Sequence, residues 1–285
     1  MNIEKLSDKI FYSTIKIETK DQYGNLGSGT GFFIFKRIDQ GHIVIFLVTN
    51  KHVIENTESG KLIFHEGIDE KMSALKGNEK IELELGPLDW SNLWFYPDDK
   101  DLDLVIAPIV PLITFIKESV NKHCYFQPID LNTIPDINKI KKISSLEEIM
   151  FIGYPNGIGD QFELTPVIRR GHLSTPLYKD FNKKREFLID ASVFPGSSGS
   201  PVLIMSEGSF FEDNSMVIGN RLLFIGVVSA VYEKTQFNEL QAVTIPTVIK
   251  KHGTHSSQTI NLGIVIKAER VRELVDEFCL KKNIT

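Results

Sequence analysis

Cysteine is almost missing from this chain: Cys124 and Cys279 are the two among 285 residues, and no C-x-x-C pair exists. A thiolate metal site is therefore not expected, and a secreted protein of this length would be expected to carry more bridges. Long hydrophobic runs are missing too. The longest, Ile43 to Val48, falls far short of the roughly 20 residues a spanning helix needs, so no membrane partner is expected. Residues 1–8 show no basic start followed by an apolar run, and no secretory signal is expected. Basic excess is absent as well: 32 Lys and Arg face 37 Asp and Glu, which leaves no electrostatic footprint for nucleic acid. The short clusters Lys141-Lys142 and Lys183-Lys184-Arg185 read as solvated loops. Together these absences predict a soluble protein in a reducing, cytoplasmic compartment.

What is present is enough apolar material, 42% of the residues, to exclude disorder. The length suits one large all-β unit or two small domains. Short β-branched or aromatic runs recur between turn residues: 31–35, 43–48, 104–107, 149–152 and 222–228. These predict strands, and without regular β-α-β alternation a parallel sheet is disfavoured. Helical spacing is clear at 269–281, where Val271, Leu274, Val275 and Phe278 share a face. A weaker helix is expected over 3–10. Residues 55–100 and 232–260, rich in polar residues, are expected as surface loops, the second holding His252 and His255. With no third ligand nearby those two histidines do not suggest a metal. Residues 116–147 read as a crossing between two β halves, and Glu147-Glu148 as a solvated pair.

The chemistry centres on Gly196-Ser197-Ser198-Gly199-Ser200-Pro201. Glycines around a serine permit a bend that aims two adjacent N–H groups at one point and holds a hydroxyl beside them. Acyl transfer needs such a nucleophile and such a pocket for the oxyanion. The nucleophile needs a base, and the base an orienting carboxylate. His52 follows the 43–49 strand at a polar corner, and Asp103 opens the run Leu104-Val105-Ile106-Ala107-Pro108-Ile109. Gly27-Ser28-Gly29-Thr30-Gly31 imitates a phosphate loop, but it leads into a strand rather than a helix.

The order His52, Asp103, Ser198, with Gly29-Thr30-Gly31-Phe32 ahead of the histidine, resembles the trypsin-like (chymotrypsin-fold) serine peptidases. The likeness is to bacterial single-chain members related to the HtrA peptidase domain. Phe151-Ile152-Gly153-Tyr154-Pro155, Gly171-His172-Leu173-Ser174 and Gly226-Val227-Val228-Ser229 extend it over roughly residues 10–280. The resemblance implies an all-β fold of two antiparallel six-stranded β-barrels with a C-terminal helix. Residues 1–115 would carry His52 and Asp103, 116–147 would connect, and 148–285 would carry Ser198. It implies Ser198 as nucleophile, His52 as base, Asp103 as orienter, and the N–H groups of Gly196 and Ser198 as oxyanion donors. Ser192, Ser229, Ala230, Val231 and Gly263 would bind substrate, a protein or peptide. No metal or cofactor is implied, a regulatory protein partner is compatible, and the oligomeric state is open.

Three departures stand out. Asn50 replaces a small residue near the histidine, and Ser197 stands where secreted trypsins carry an aspartate. Asp101 competes with Asp103 on the same side of an extended chain; the resemblance favours Asp103. With no acid at Ser192 and with Val231 in place of glycine, a small or medium apolar residue is expected at the cleavage position. The rival reading is an inactive or latent peptidase-fold binding module.

Overall fold

The computed structural model describes residues 5–155, 162, 164–213, 215–241 and 251–284. Its first half is a sheet of eight strands: β1 (Thr14–Asp21), β2 (Leu26–Arg37), β3 (Ile43–Thr49), β4 (Thr57–Gly67), β5 (Leu75–Leu85), β6 (Val105–Pro108), β7 (His123–Tyr125) and β8 (Ile129–Asp130). The main path runs β5-β4-β1-β2-β3-β6, with β7 on β4 and β8 on β2. The second half holds β9 (Glu148–Gly153), β10 (Val167–Leu173), β11 (Glu186–Asp190), β12 (Pro201–Ser206), β13 (Ser209–Glu212), β14 (Ser215–Ile218), β15 (Arg221–Gln241) and β16 (Lys251–Lys267). Six of these close a barrel in the order β10-β11-β16-β15-β12-β9, while β13 and β14 form a separate hairpin. Among the described residues six α-helices punctuate the strands: α1 (Leu6–Lys9), α2 (Lys51–Ile54), α3 (Pro87–Leu93), α4 (Val110–Val120), α5 (Ile137–Lys142) and α6 (Ala268–Lys281). Among the described residues no helix is long and apolar enough to cross a membrane.

The unbroken apolar runs have a direct cause: their strands bury both faces. Ile45 and Leu47 of β3 enter the inner core of the first sheet, while Phe46 and Val48 enter a central core shared with the barrel. The barrel does the same, sending Ile149 and Phe151 of β9 inside and Met150 and Ile152 out to the shared core. The α6 residues Val271, Leu274, Val275 and Phe278 also pack there, as their spacing predicts, with Phe278 edge-on to Phe46 at 5.1 Å. This apolar seam joins the two halves.

Five expectations need correction. Of the two closed barrels expected, one is closed; β5 and β6, the ends of the first sheet's main path, do not pair. Between them runs α3, whose Trp90 is 1% exposed and plugs the inner core. Residues 55–100 are no surface loop but β4, β5 and α3. In β5 the charges Lys80, Glu82 and Glu84 point out while Ile81, Leu83 and Leu85 are buried, so a strand buried on one face passes for a polar loop by composition. Residues 232–241 and 251–260 likewise continue β15 and β16, pairing Leu240 with His252 and Phe237 with His255; residues 242–250 lie outside the described residues. Glu147 is not solvated: it pairs with Arg221 at 2.5 Å, the two side chains 16% and 7% exposed. The expected helix over 3–10 is reduced to α1 and a 3-10 turn at Ile10–Tyr12, with residues 1–4 outside the described residues.

Candidate active site

His52 is carried by α2, the short turn after β3, and Asp103 sits just ahead of β6, the neighbour of β3. The strand pairing thus brings them together. Oδ2 of Asp103 lies 2.7 Å from Nδ1 of His52, and Oδ1 accepts the His52 main-chain N–H at 3.0 Å. An ionised carboxylate only accepts, so Nδ1 carries the proton and Nε2 is left as the basic nitrogen. Burial raises the Asp103 carboxyl, but the His52 bond and charge, the His52 N–H and the Ser229 hydroxyl together outweigh it and hold the group below its ordinary range. Asp101 is exposed and does not reach the imidazole; its N–H donates to Asp99.

Two residues complete this corner. Asn50 is fully buried, and its side-chain amide donates to the Asp103 carbonyl at 2.8 Å, so the departure at this position serves to anchor the acid. Ser229 donates to Oδ2 of Asp103 at 2.8 Å. The resemblance by itself implies only a substrate-pocket role for Ser229. Its second contact arises from a β-bulge, where the β15–β16 register shifts between Val228 and Ala230; a bulge re-aims a side chain. Register is invisible in the local sequence.

The serine turn is held group by group. Phe194 O accepts the Ser197 N–H at 3.0 Å and Gly196 has φ +88°. With Pro195 second and Gly196 third, this is a type II turn, because a type I turn needs negative φ at the third position. Ser197 O accepts from Ser200, Ser198 O from Thr30, and Gly199 donates to Val228. The N–H groups of Gly196 and Ser198 have no acceptor among the described residues. These are the two donors expected for an oxyanion. Ser197 is fully buried, its hydroxyl without a partner among the described residues.

His52, Gly196 and Ser198 line one cleft of about 450 Å³ that runs toward Gly27 and Ser28. Within it the Ser198 hydroxyl rests 3.5 Å from the Ser229 carbonyl, a limiting distance for a hydrogen bond. The substrate-binding candidates fall beside the turn rather than in this cleft. Val231 pairs with Gly263 across β15 and β16, and Gly263 lies bare against Val193, the neighbour of Ser192. Ala230 is exposed, and β15 pairs with β12 only up to Val227. Cys124 and Cys279 are free and buried, far from this chemistry; burial first and then the Glu66 charge push the Cys124 thiol up to about 12. No cluster suited to a metal ion occurs among the described residues.

A mostly β fold with one closed barrel, a histidine and a glycine-bound serine on one cleft, and an acid held against that histidine from behind are the features of a peptidase-like protein. The chain belongs to the trypsin-like peptidase domain family, whose profile matches residues 29–211; the family is one of serine proteases. Solved structures with a similar fold include the following three. The HtrA-type protease AlgW with a tripeptide shares 14% identity over 94% of this chain, with a TM-score of 0.49; this chain spans 60% of that one. A scabies mite inactivated protease paralogue shares 12% identity over 99% of this chain and 100% of its own, TM-score 0.47. The thermostable serine protease AL20 from an extremophilic microorganism shares 13% over 95% of this chain and 98% of its own, TM-score 0.42. No curated protein matches.

Proposed function

We propose that this chain is a serine endopeptidase that cleaves a protein or peptide through an acyl-enzyme, with Ser198 as nucleophile, His52 as general base and then acid, and Asp103 as orienter. One observation carries the reading: Asp103 grips His52 by both ring and main chain, on the cleft where Ser198 stands beside two N–H groups with no acceptor among the described residues. On this reading the Ser198 hydroxyl turns from the Ser229 carbonyl and gives its proton to Nε2 of His52 across the cleft they share. Attack on the scissile carbonyl places the developing charge at Gly196 and Ser198, where each donor lowers the barrier by about 3 kcal/mol. Imidazolium then protonates the leaving amine, and water, activated by the same base, releases the acyl group.

Substrate fits as an added strand along Ser229-Ala230-Val231, whose edge away from β16 has no partner strand among the described residues. Val231 narrows the primary pocket and Ser192 brings no charge, which favours a small or medium apolar residue before the cut. Strong cleavage after Arg or Lys in a peptide library would overturn this preference. We assign residues 1–115 and 148–285 as the two units that carry the reacting groups, and the cytoplasm as the working compartment.

The resting contact between Ser198 and Ser229 supports a second reading, a latent peptidase released by a partner protein. A fluorophosphonate probe separates the two. Labelling of the isolated chain that vanishes in Ser198→Ala supports the active enzyme; labelling that persists removes Ser198; none in either favours latency or a binding module.

A further inference from the structure

Thr30 lies in the glycine-flanked segment at the start of β2, in the other half of the molecule from Ser198, and is 0% exposed. Its hydroxyl donates to the Gly196 carbonyl at 2.9 Å and accepts the Tyr154 N–H at 3.0 Å. Its main-chain N–H donates to the Ser198 carbonyl at 2.9 Å, and its carbonyl accepts the Thr49 hydroxyl at 2.8 Å. Every hydrogen-bonding group of this residue is engaged, and two of them hold the serine turn.

The peptides so held decide where the oxyanion donors point. The unit joining Gly196 to Ser197 is pinned at its carbonyl by Thr30 and at its N–H by Phe194 O. The unit joining Ser198 to Gly199 is pinned at its carbonyl by Thr30 and at its N–H by Val228 O. The Gly196 and Ser198 N–H groups lie on either side of the first unit. A peptide fixed at both ends cannot rotate without losing two hydrogen bonds, a loss that grows when a buried group is left unpaired. Glycine at 153 clears the space for this hydroxyl, since a methyl there would overlap both Thr30 Oγ1 and Ser200 Oγ.

We infer that the Thr30 hydroxyl is a positioning residue, a clamp reaching from the first sheet that holds the Gly196–Ser198 turn in its oxyanion-binding form. This rests on the proposed peptidase reading for its kinetic consequence, and on the bonds alone for its structural one. Thr30→Val keeps the shape and removes the hydroxyl; Thr30→Ser restores it. On a peptide substrate Thr30→Val lowers kcat 10- to 100-fold with KM within about twofold, and Thr30→Ser returns kcat to within about threefold.

Amide hydrogen exchange at Ser197, whose N–H belongs to the clamped peptide, provides the readout that needs no activity. It speeds up at least tenfold in Thr30→Val, relative to amides of the β15–β16 ladder, and stays at the wild-type rate in Thr30→Ser. A valine variant with unchanged kcat and unchanged Ser197 exchange overturns the clamp. A serine variant as impaired as valine also overturns it, by showing that packing of the methyl matters instead. If the wild type neither cleaves nor labels, the reading of an enzyme active on its own fails, and the exchange experiment still decides the clamp.

Discussion

The hydroxyl of Ser229 donates to the same Asp103 oxygen that faces the ring of His52, at 2.8 Å. The acid is thereby held from both halves of the molecule: from the first sheet by the His52 N–H and Asn50, and from the barrel by Ser229. A carboxylate fixed this way cannot swing away from the imidazole.

Ser229→Ala removes one donor to an ionised group, a bond worth about 1.5–3 kcal/mol. On the proposed mechanism kcat/KM falls by about tenfold or more, since about 1.4 kcal/mol is one decade. Asp103→Asn, which imposes the wrong tautomer, falls much further, by about 10⁴. Steady-state kinetics of the two variants order these effects; a Ser229→Ala enzyme with full activity would remove the hydroxyl from the machinery.

His65 on β4 is buried, packs edge-on to Tyr12 at 4.9 Å, and its Nε2 has no partner among the described residues. Burial pushes its imidazole down from 6.5 to about 4. The unfolded chain takes up that proton near pH 6.5 while the folded chain resists, so stability falls as pH drops from 6.5 toward 4, by up to about 1.4 kcal/mol per pH unit. Asp103, depressed in the folded state, adds its own loss only at pH values below the usual carboxylate range. Urea unfolding across pH 7.5 to 4.5 measures the slope, and His65→Phe flattens it. An unchanged slope in that variant would falsify the assignment.

Gly199 has φ +85°, and a methyl there would overlap the Thr30 carbonyl and lie 2.6 Å from Thr49 Oγ1. Gly41 has a similar φ of +80° with nothing within 4 Å. Gly41→Ala should cost only the left-handed backbone penalty, about 1–2 kcal/mol. Gly199→Ala adds a backbone overlap and should cost clearly more. Equal thermal unfolding of the two would mean that the approach between the halves is looser than described.

Arg221 pairs with Glu147 and lies under Phe210 at 4.5 Å. Removing one partner leaves the other charge buried, at about 3–5 kcal/mol. Glu147→Ala should therefore be strongly destabilising, while Glu147→Leu combined with Arg221→Met should return close to wild type. Chemical denaturation of the single and double variants checks both; a double variant no better than the single one would show that the pair contributes more than mutual neutralisation.

Much of the site was legible from local chemistry. A serine between glycines after a proline, a histidine at the end of a buried strand and an acid at the mouth of another each mark their position by residue type. The α6 helix was legible from its period. Less legible were segments whose pattern is diluted: β5 alternates charge with buried aliphatics, and Glu147 beside Glu148 looks solvated until Arg221, far along the chain, closes over it.

By itself the sequence determined many of the short strands, the terminal helix and the order of the candidate site residues, because turn chemistry and hydrophobic period act over a few residues. Only the tertiary structure decided that Asp103 rather than Asp101 meets His52, that Ser229 turns inward at a bulge, that β5 and β6 do not pair among the described residues, and that Thr30 reaches the serine turn. Each of these depends on strand register and on the packing of one half against the other, and no short stretch of chain carries that information.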